Sequence, residues 1–287
     1  MPASLDSILA ATRRRLSEGR KSVDLRALEQ EAEQHRPRGF RQNLNRVSQD
    51  GIAVIAELKK SSPSRGLIRA DFRPSALARE LAQAGAAALS VLTDEEFFQG
   101  SLNYLNQASA ATSIPCLRKD FIVDESQIVE ARAHCADAIL LIVAALNDKE
   151  LRFLAASAQA SHLDVLCEAH DEEELHRALD AGCNLIGINS RDLRTFEVNL
   201  ETAFHLIDKI PERCVAVAES GIHSGADMAR LRAAGYDAFL IGESLMKQPS
   251  PGEALTQLFA EAEQAACPSK HEGFGSKLEA RGSKLPL

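Results

Sequence analysis

The chain has 287 residues, with 33 lysines and arginines against 41 aspartates and glutamates, a formal net charge of −8, and 45% hydrophobic and 26% charged residues. These values exclude intrinsic disorder as the main state and leave ample apolar side chain for a buried core. The negative balance argues against a dedicated nucleic-acid binder, whose phosphate contacts need a concentrated basic face, and no window approaches the roughly 20 apolar residues that a membrane span needs.

At the N-terminus, MPASLDSILAATRRRL places its arginines after the apolar residues and lacks the long apolar stretch of a secretory signal. Residues 4–35 read as two polar helices, with Leu5, Ile8 and Leu9 on one stripe. They are expected outside the main fold, within a helical extension over residues 1–50 that covers one of its ends. Eight short apolar runs follow, each leading into an amphipathic stretch: AVIAELK (53–59), AALSVLT (87–93), PCLRK (115–119), DAILLIV (137–143), DVLCEA (164–169), NLIGIN (184–189), CVAVAES (214–220) and DAFLIG (237–242). Strands alternating with helices imply parallel βαβ units, and eight of them in little more than the ~250 residues typical of the fold predict an α/β (β/α)8 TIM barrel over 51–262. A doubly wound open sheet is the alternative. The pairs Ala84-Gly85, Ala181-Gly182 and Ala234-Gly235 read as helix ends feeding the next strand. Residues 263–287, rich in Gly, Ser and Lys from Ser269 onward, are expected to be a disordered tail.

The six cysteines are scattered, without a CxxC pair, and no histidine stands at zinc-ligand spacing, so no metal site is assigned and reduced cytoplasmic thiols are expected. The acidic runs Asp94-Glu95-Glu96 and Asp171-Glu172-Glu173-Glu174 read as solvated helix starts rather than metal carboxylates.

In such a barrel the active site forms where the strands end, and here the runs end in polar residues. Glu57 and Lys59 close the first run, Arg118-Lys119-Asp120 the third, Glu168 the fifth, Asn189 with Arg191 beyond it the sixth, and Glu219-Ser220 the seventh. Carboxylates, lysines and an amide converging on one mouth suit acid–base work on an anionic substrate. Close carboxylates also shift a lysine's pKa, which is how a lysine becomes a usable acid near neutral pH. Ser220-Gly221 and Gly242-Glu243-Ser244 lie after the seventh and eighth runs, where barrels commonly hold phosphate on backbone N–H groups, and the loop Ser61–Gly66 adds hydroxyls and Arg65. Phe97, Phe98 and Phe121 are either local packing or a wall for a flat substrate.

The segments IAELKKSSPSRG (55–66), LTDEEFFQGS (92–101), LRKDFIVDESQI (117–128), GINSRDL (187–193), VAESGI (217–222) and LIGESLM (240–246) together resemble indole-3-glycerol phosphate synthase, over about residues 5–260. The resemblance implies a lyase of tryptophan biosynthesis that needs no cofactor. It would convert 1-(2-carboxyphenylamino)-1-deoxyribulose 5-phosphate to indole-3-glycerol phosphate with loss of carbon dioxide and water. It further implies Lys119 as the general acid toward the substrate ketone, Glu168 as the base for dehydration, and Glu57 with Lys59 as a pair that orients the substrate and assists loss of the hydroxyl. Asn189 and Ser220 match catalytic-site positions holding substrate hydroxyls and the carboxylate region, with Glu219 beside them and Arg191 placed to pair with the anthranilate carboxylate. Phosphate contacts carry over to Ser62, Gly221, Gly242 and the backbone of Glu243, and the aromatic ring to Phe98, Phe121, Leu140 and Leu193. The expected partner is a small phosphorylated substrate, acted on by a cytoplasmic monomer. Two alternatives stay open: another phosphate-binding barrel, such as phosphoribosylanthranilate isomerase, and a non-catalytic barrel that binds a ligand as a scaffold or sensor.

Overall fold

Every one of the eight apolar runs is a strand. The structure, a computed structural model, describes residues 4–19, 25–193 and 195–266. The strands are β1 (Ala53–Leu58), β4 (Ala88–Leu92), β5 (Cys116–Lys119), β6 (Ala138–Ile142), β7 (Asp164–Ala169), β8 (Leu185–Asn189), β9 (Val215–Glu219) and β10 (Ala238–Ile241). They pair in parallel and close on themselves, β10 returning to β1 with Ile55 opposite Leu240. The open-sheet alternative is thereby excluded. A two-stranded ribbon, β2 (Ser61–Ser62) and β3 (Gly66–Leu67), interrupts the loop after β1 and was not foreseen.

Local chemistry starts and stops the helices as expected. Asn147 with Glu150 and Ser224 with Asp227 form capping boxes at the starts of Asp148–Ala160 and Gly225–Ala234. Gly85, Gly182 and Gly235, which follow Ala84, Ala181 and Ala234, all take positive φ, the left-handed turn that lets a helix hand over to a strand. Asp94, expected to be solvated, is instead buried, its carboxylate accepting from the Phe97 N–H as the cap of Glu95–Phe98. An N-cap needs a short acceptor close to the backbone, and here the helix start is packed under α1 (Leu5–Gly19), whose Arg15 lies 3.8 Å from Asp94.

The two helices expected over 4–35 are present, and among the described residues the extension over 1–50 adds a third. α1 lies over the strand C-termini, where Leu5 and Ile8 wall the mouth of the barrel. α2 (Leu25–Gln34) packs along helix Ser126–Ala133 on the outside. α3 (Phe40–Asp50) closes the opposite end, burying Phe40 and Leu44 completely. Its short apolar stripe among polar residues is too sparse to announce a helix. Asp137, fully buried at the start of β6, ties down the segment before α3. It accepts from the Arg38 N–H at 2.7 Å, lies 2.5 Å from the Arg38 guanidinium and 3.2 Å from the His35 ring, and also accepts the Cys116 N–H. The last helix, Pro251–Ala266, runs past the boundary expected at 262. The rest of the expected tail, 267–287, lies outside the described residues.

Candidate active site

Alternation along β1 puts Ala53, Ile55 and Glu57 inside the barrel and Val54, Ala56 and Leu58 against the helices, all six buried. The same alternation aims Lys119, Glu168 and Glu219 inward from β5, β7 and β9. Between Leu117 and Lys119, Arg118 points outward, buried and paired with Asp120 and Glu130. Of the charged triplet closing the third run, then, only Lys119 reaches the mouth.

At the centre the Lys119 ammonium lies 3.4 Å from Glu168 Oε2 and 4.0 Å from Glu219 Oε2. Beside it Lys59 pairs with Glu57 at 2.5 Å, and Ser90 on β4 donates to the other Glu57 oxygen. Asn189 Oδ1 accepts from the Ser220 hydroxyl at 2.8 Å and the Arg191 N–H at 3.0 Å, which turns its amide NH2 toward Glu168. Ser220 holds a positive φ, strained for a residue with a Cβ, and the bond to Asn189 fixes it there.

The electrostatics of this cluster separate the carboxylates. Burial opposes ionisation of Glu57, but Lys59 and Lys119 outweigh it and hold the carboxyl below its usual range. For Glu168 burial is again outweighed, by Lys119, then His170 and the Asn189 amide, and the carboxyl is driven far down. Burial and the neighbouring Glu168 charge push Glu219 well above its usual value despite Lys119. One Glu219 oxygen, Oε1, has no hydrogen-bond partner among the described residues. The expectation that Lys119 would be tuned toward neutral pH is reversed in the open site. Burial alone would lower it, yet Glu168, Glu219 and Glu57 together push it up. Lys119 is therefore held in its charged form by the three carboxylates around it.

A cavity of 170 Å³ sits over these groups, lined by 26 residues that include fifteen of the sixteen expected site residues. Phe98 and Phe121 form one wall, ring centroids 6.1 Å apart, with Leu193 and Phe196 on the loop after β8. The exception is Leu140. It faces the interior, as its parity required, but one strand period deeper, about 6–7 Å at the rise of a β-strand, and Ile142 takes the wall position opposite Glu168. On the side expected to hold phosphate, Ser62 is buried with its hydroxyl lacking a hydrogen-bond partner among the described residues, and Gly221 follows Ser220 at a second positive φ. Gly242 is required by crowding: a Cβ there would stand 2.5 Å from Glu57 Oε1. Glu243 turns its carboxylate aside to Arg65 and Lys247, leaving its backbone at the cavity. Lys59 and Lys119 are both paired with carboxylates, and the Arg191 guanidinium donates to the Phe196 carbonyl.

Sequence reasoning missed His170, Phe196 and Ile142. His170 had a signal, standing two residues after Glu168 and so on the same side of the chain. Phe196 had none, because its position depends on the Arg191–Val198 bridge that folds the loop after β8.

Comparison with known proteins bears on this geometry. A family model described as indole-3-glycerol phosphate synthase matches residues 5–258. The chain is 56% identical over 258 residues to the indole-3-glycerol phosphate synthase of Koribacter versatilis, covering 90% of this chain and 99% of that protein. To the protein of the same name from Polaromonas sp. it is 48% identical, covering 89% and 97%, and to that from Burkholderia ambifaria 48%, covering 89% and 98%. Solved structures share only the fold. A thiamine phosphate pyrophosphorylase from Pyrococcus furiosus superposes with a TM-score of 0.57 at 15% identity, covering 75% of this chain and 96% of that one. A mandelate oxidase with benzoyl-formic acid gives 0.55 at 19%, covering 75% and 72%.

Proposed function

The chain belongs to the indole-3-glycerol phosphate synthase family, and from that premise we propose how its own residues divide the work of the reaction. The reaction is ring closure in tryptophan biosynthesis: 1-(2-carboxyphenylamino)-1-deoxyribulose 5-phosphate becomes indole-3-glycerol phosphate, with loss of carbon dioxide and water. The observation that carries the assignment is the placement of one ammonium, Lys119, 3.4 Å from Glu168 and 4.0 Å from Glu219 at the mouth of the barrel.

The phosphate is held by the backbone of Gly221, Gly242 and Glu243 and by the free Ser62 hydroxyl, with Lys59 near. Phe98, Phe121, Leu193 and Ile142 take the aromatic ring, while Arg191 turns to its carboxylate. Anchored at both ends, the substrate brings its ring carbon against the ketone. That proximity supplies several kcal/mol of the roughly 7–11 open to well-oriented reactions. As the ring carbon attacks, Lys119 passes its proton to the ketone oxygen. The ring–carboxylate bond then breaks, carbon dioxide leaves, and its electron pair restores aromaticity. In dehydration Glu168 takes a proton from the new ring while the hydroxyl departs as water, assisted by Lys59 held by Glu57. Asn189 and Ser220 hold substrate hydroxyls, with Glu219 beside them, its carboxyl pushed above its usual range by burial and the Glu168 charge. We further propose a monomer acting in the cytoplasm, where the five described cysteines would stay free thiols.

The test mixes purified protein with the substrate and follows the fluorescent indole product, with Lys119→Ala as control. Product from the wild type alone supports the assignment. Binding without product in the wild type would favour the non-catalytic alternative, and product at an unchanged rate from Lys119→Ala would remove Lys119 from the role of acid.

A further inference from the structure

Glu168 divides its two oxygens between two cations. Lys119 takes Oε2 at 3.4 Å, and on the other side the His170 ring places Nε2 3.4 Å from Oε1. The ring cannot drift. Its Nδ1 is 2.8 Å from Glu174 Oε2, and the His170 backbone N–H donates to that same oxygen at 2.8 Å. Glu174 is set in turn by the first turn of helix Glu172–Asp180, its own N–H donating to the cap residue Asp171. The clamp thus runs from a helix N-terminus through Glu174 and His170 to the base. His170 is absent from the cavity wall, with 13% of its side chain exposed, so it acts through Glu168 rather than on substrate. Its Nε2 is aimed at Glu168 without a hydrogen bond to any described residue, the long contact common in sites whose bonds tighten only in the reacting complex.

We infer that His170 is a positioning residue that keeps Glu168 anionic and turned toward the substrate after Lys119 has given up its proton. The inference rests on Glu168 being the base proposed above. Once Lys119 has protonated the ketone oxygen it is a neutral amine, and Glu168 loses one of the two cations that face it at 3.4 Å. Glu219 shows what burial does to a carboxyl near the same lysine when its other charged neighbour is a carboxylate: burial and the Glu168 charge drive it up rather than down. His170 prevents this for Glu168. Burial works against its charge, but Glu168 and Glu174 raise its pKa to about 10, so the imidazolium persists through the working range. The charged groups facing it are Glu168 and Glu174, with Lys119 beyond Glu168.

The experiment is a cycle of His170→Asn and Glu168→Gln, read by kcat and KM for 1-(2-carboxyphenylamino)-1-deoxyribulose 5-phosphate and by thermal unfolding. Expected is a loss in kcat of about tenfold for His170→Asn, the lower end for groups that orient a reacting ligand, with KM and Tm little changed. No further loss is expected when it is added to Glu168→Gln. Glu174→Gln, which leaves the ring in place but frees it, reproduces a smaller loss and serves if His170→Asn does not fold. An equal loss in both backgrounds, or a change confined to KM or Tm, would overturn the inference. A Glu168→Gln protein with wild-type kcat would instead overturn the assignment of the base, and this inference with it.

Discussion

Gly187 on β8 stands where a side chain would occupy the space of the Glu219 carboxylate: a Cβ built on it falls 2.1 Å from Glu219 Oε1. The missing side chain on one strand is what gives the acid on its neighbour room to lean toward Lys119. Gly187→Ala must displace Glu219 and strain the barrel interior. The expected outcome is a protein destabilised by about 1–3 kcal/mol, as for other overpacked cores, with kcat reduced by a larger factor than stability alone explains. Thermal melts beside steady-state kinetics test this; a fully active Gly187→Ala protein would contradict it.

Lys119 carries both a charge and a transferable proton, and two substitutions separate them. Lys119→Ala is expected to fold and to lose at least about 10²-fold in kcat, the scale of general-acid catalysis. Lys119→Arg keeps the charge between Glu168 and Glu219, yet its guanidinium does not release a proton in proteins. It is expected to bind substrate better than Lys119→Ala and to turn it over no faster. Substantial turnover by Lys119→Arg would show that charge alone suffices.

Ser62 is buried with an unsatisfied hydroxyl, a cost in the empty protein that a bound phosphate oxygen would cancel. Ser62→Ala is therefore expected to leave Tm unchanged or slightly raised. Hydrogen bonds to charged groups contribute about 1.5–3 kcal/mol, so KM should rise about tenfold or more. A lowered Tm with unchanged KM would place the hydroxyl in a structural role.

His35 hydrogen-bonds to Asp137, and this contact foremost raises its pKa from 6.5 to about 9. A group raised on folding contributes stability fully below 6.5 and loses it as the pH climbs through 9. The wild type should accordingly lose Tm between those limits relative to His35→Gln. Parallel melting curves for the two proteins would refute this.

The barrel was legible because each strand is a short apolar run leading into an amphipathic stretch, and the eightfold repeat left little choice of topology. The site was legible from the same runs: Glu57, Lys119, Glu168, Asn189 and Glu219 each end a run, and the fold brings run ends together. What the order of residues does not carry is depth and mutual field. Leu140 and Ile142 share a parity, and only barrel closure decides which meets the cavity. The sign of the Lys119 shift depends on three carboxylates from three other strands, distances that no spacing encodes. α3 escaped notice because its role as a plug requires just two buried residues, Phe40 and Leu44.

The anchor on Asp137 also constrains the order of assembly. Its contacts to His35 and Arg38 span 102 and 99 residues of chain, and the same carboxylate holds the Cys116 N–H across the β5–β6 edge. During synthesis the extension leaves the ribosome first but finds its docking point only after β6 has emerged. Loop-closure entropy over such a span makes this pairing late in refolding as well. A half-built barrel therefore keeps its N-terminal segment undocked, and a slow refolding phase sensitive to Asp137→Asn should mark the moment it locks in.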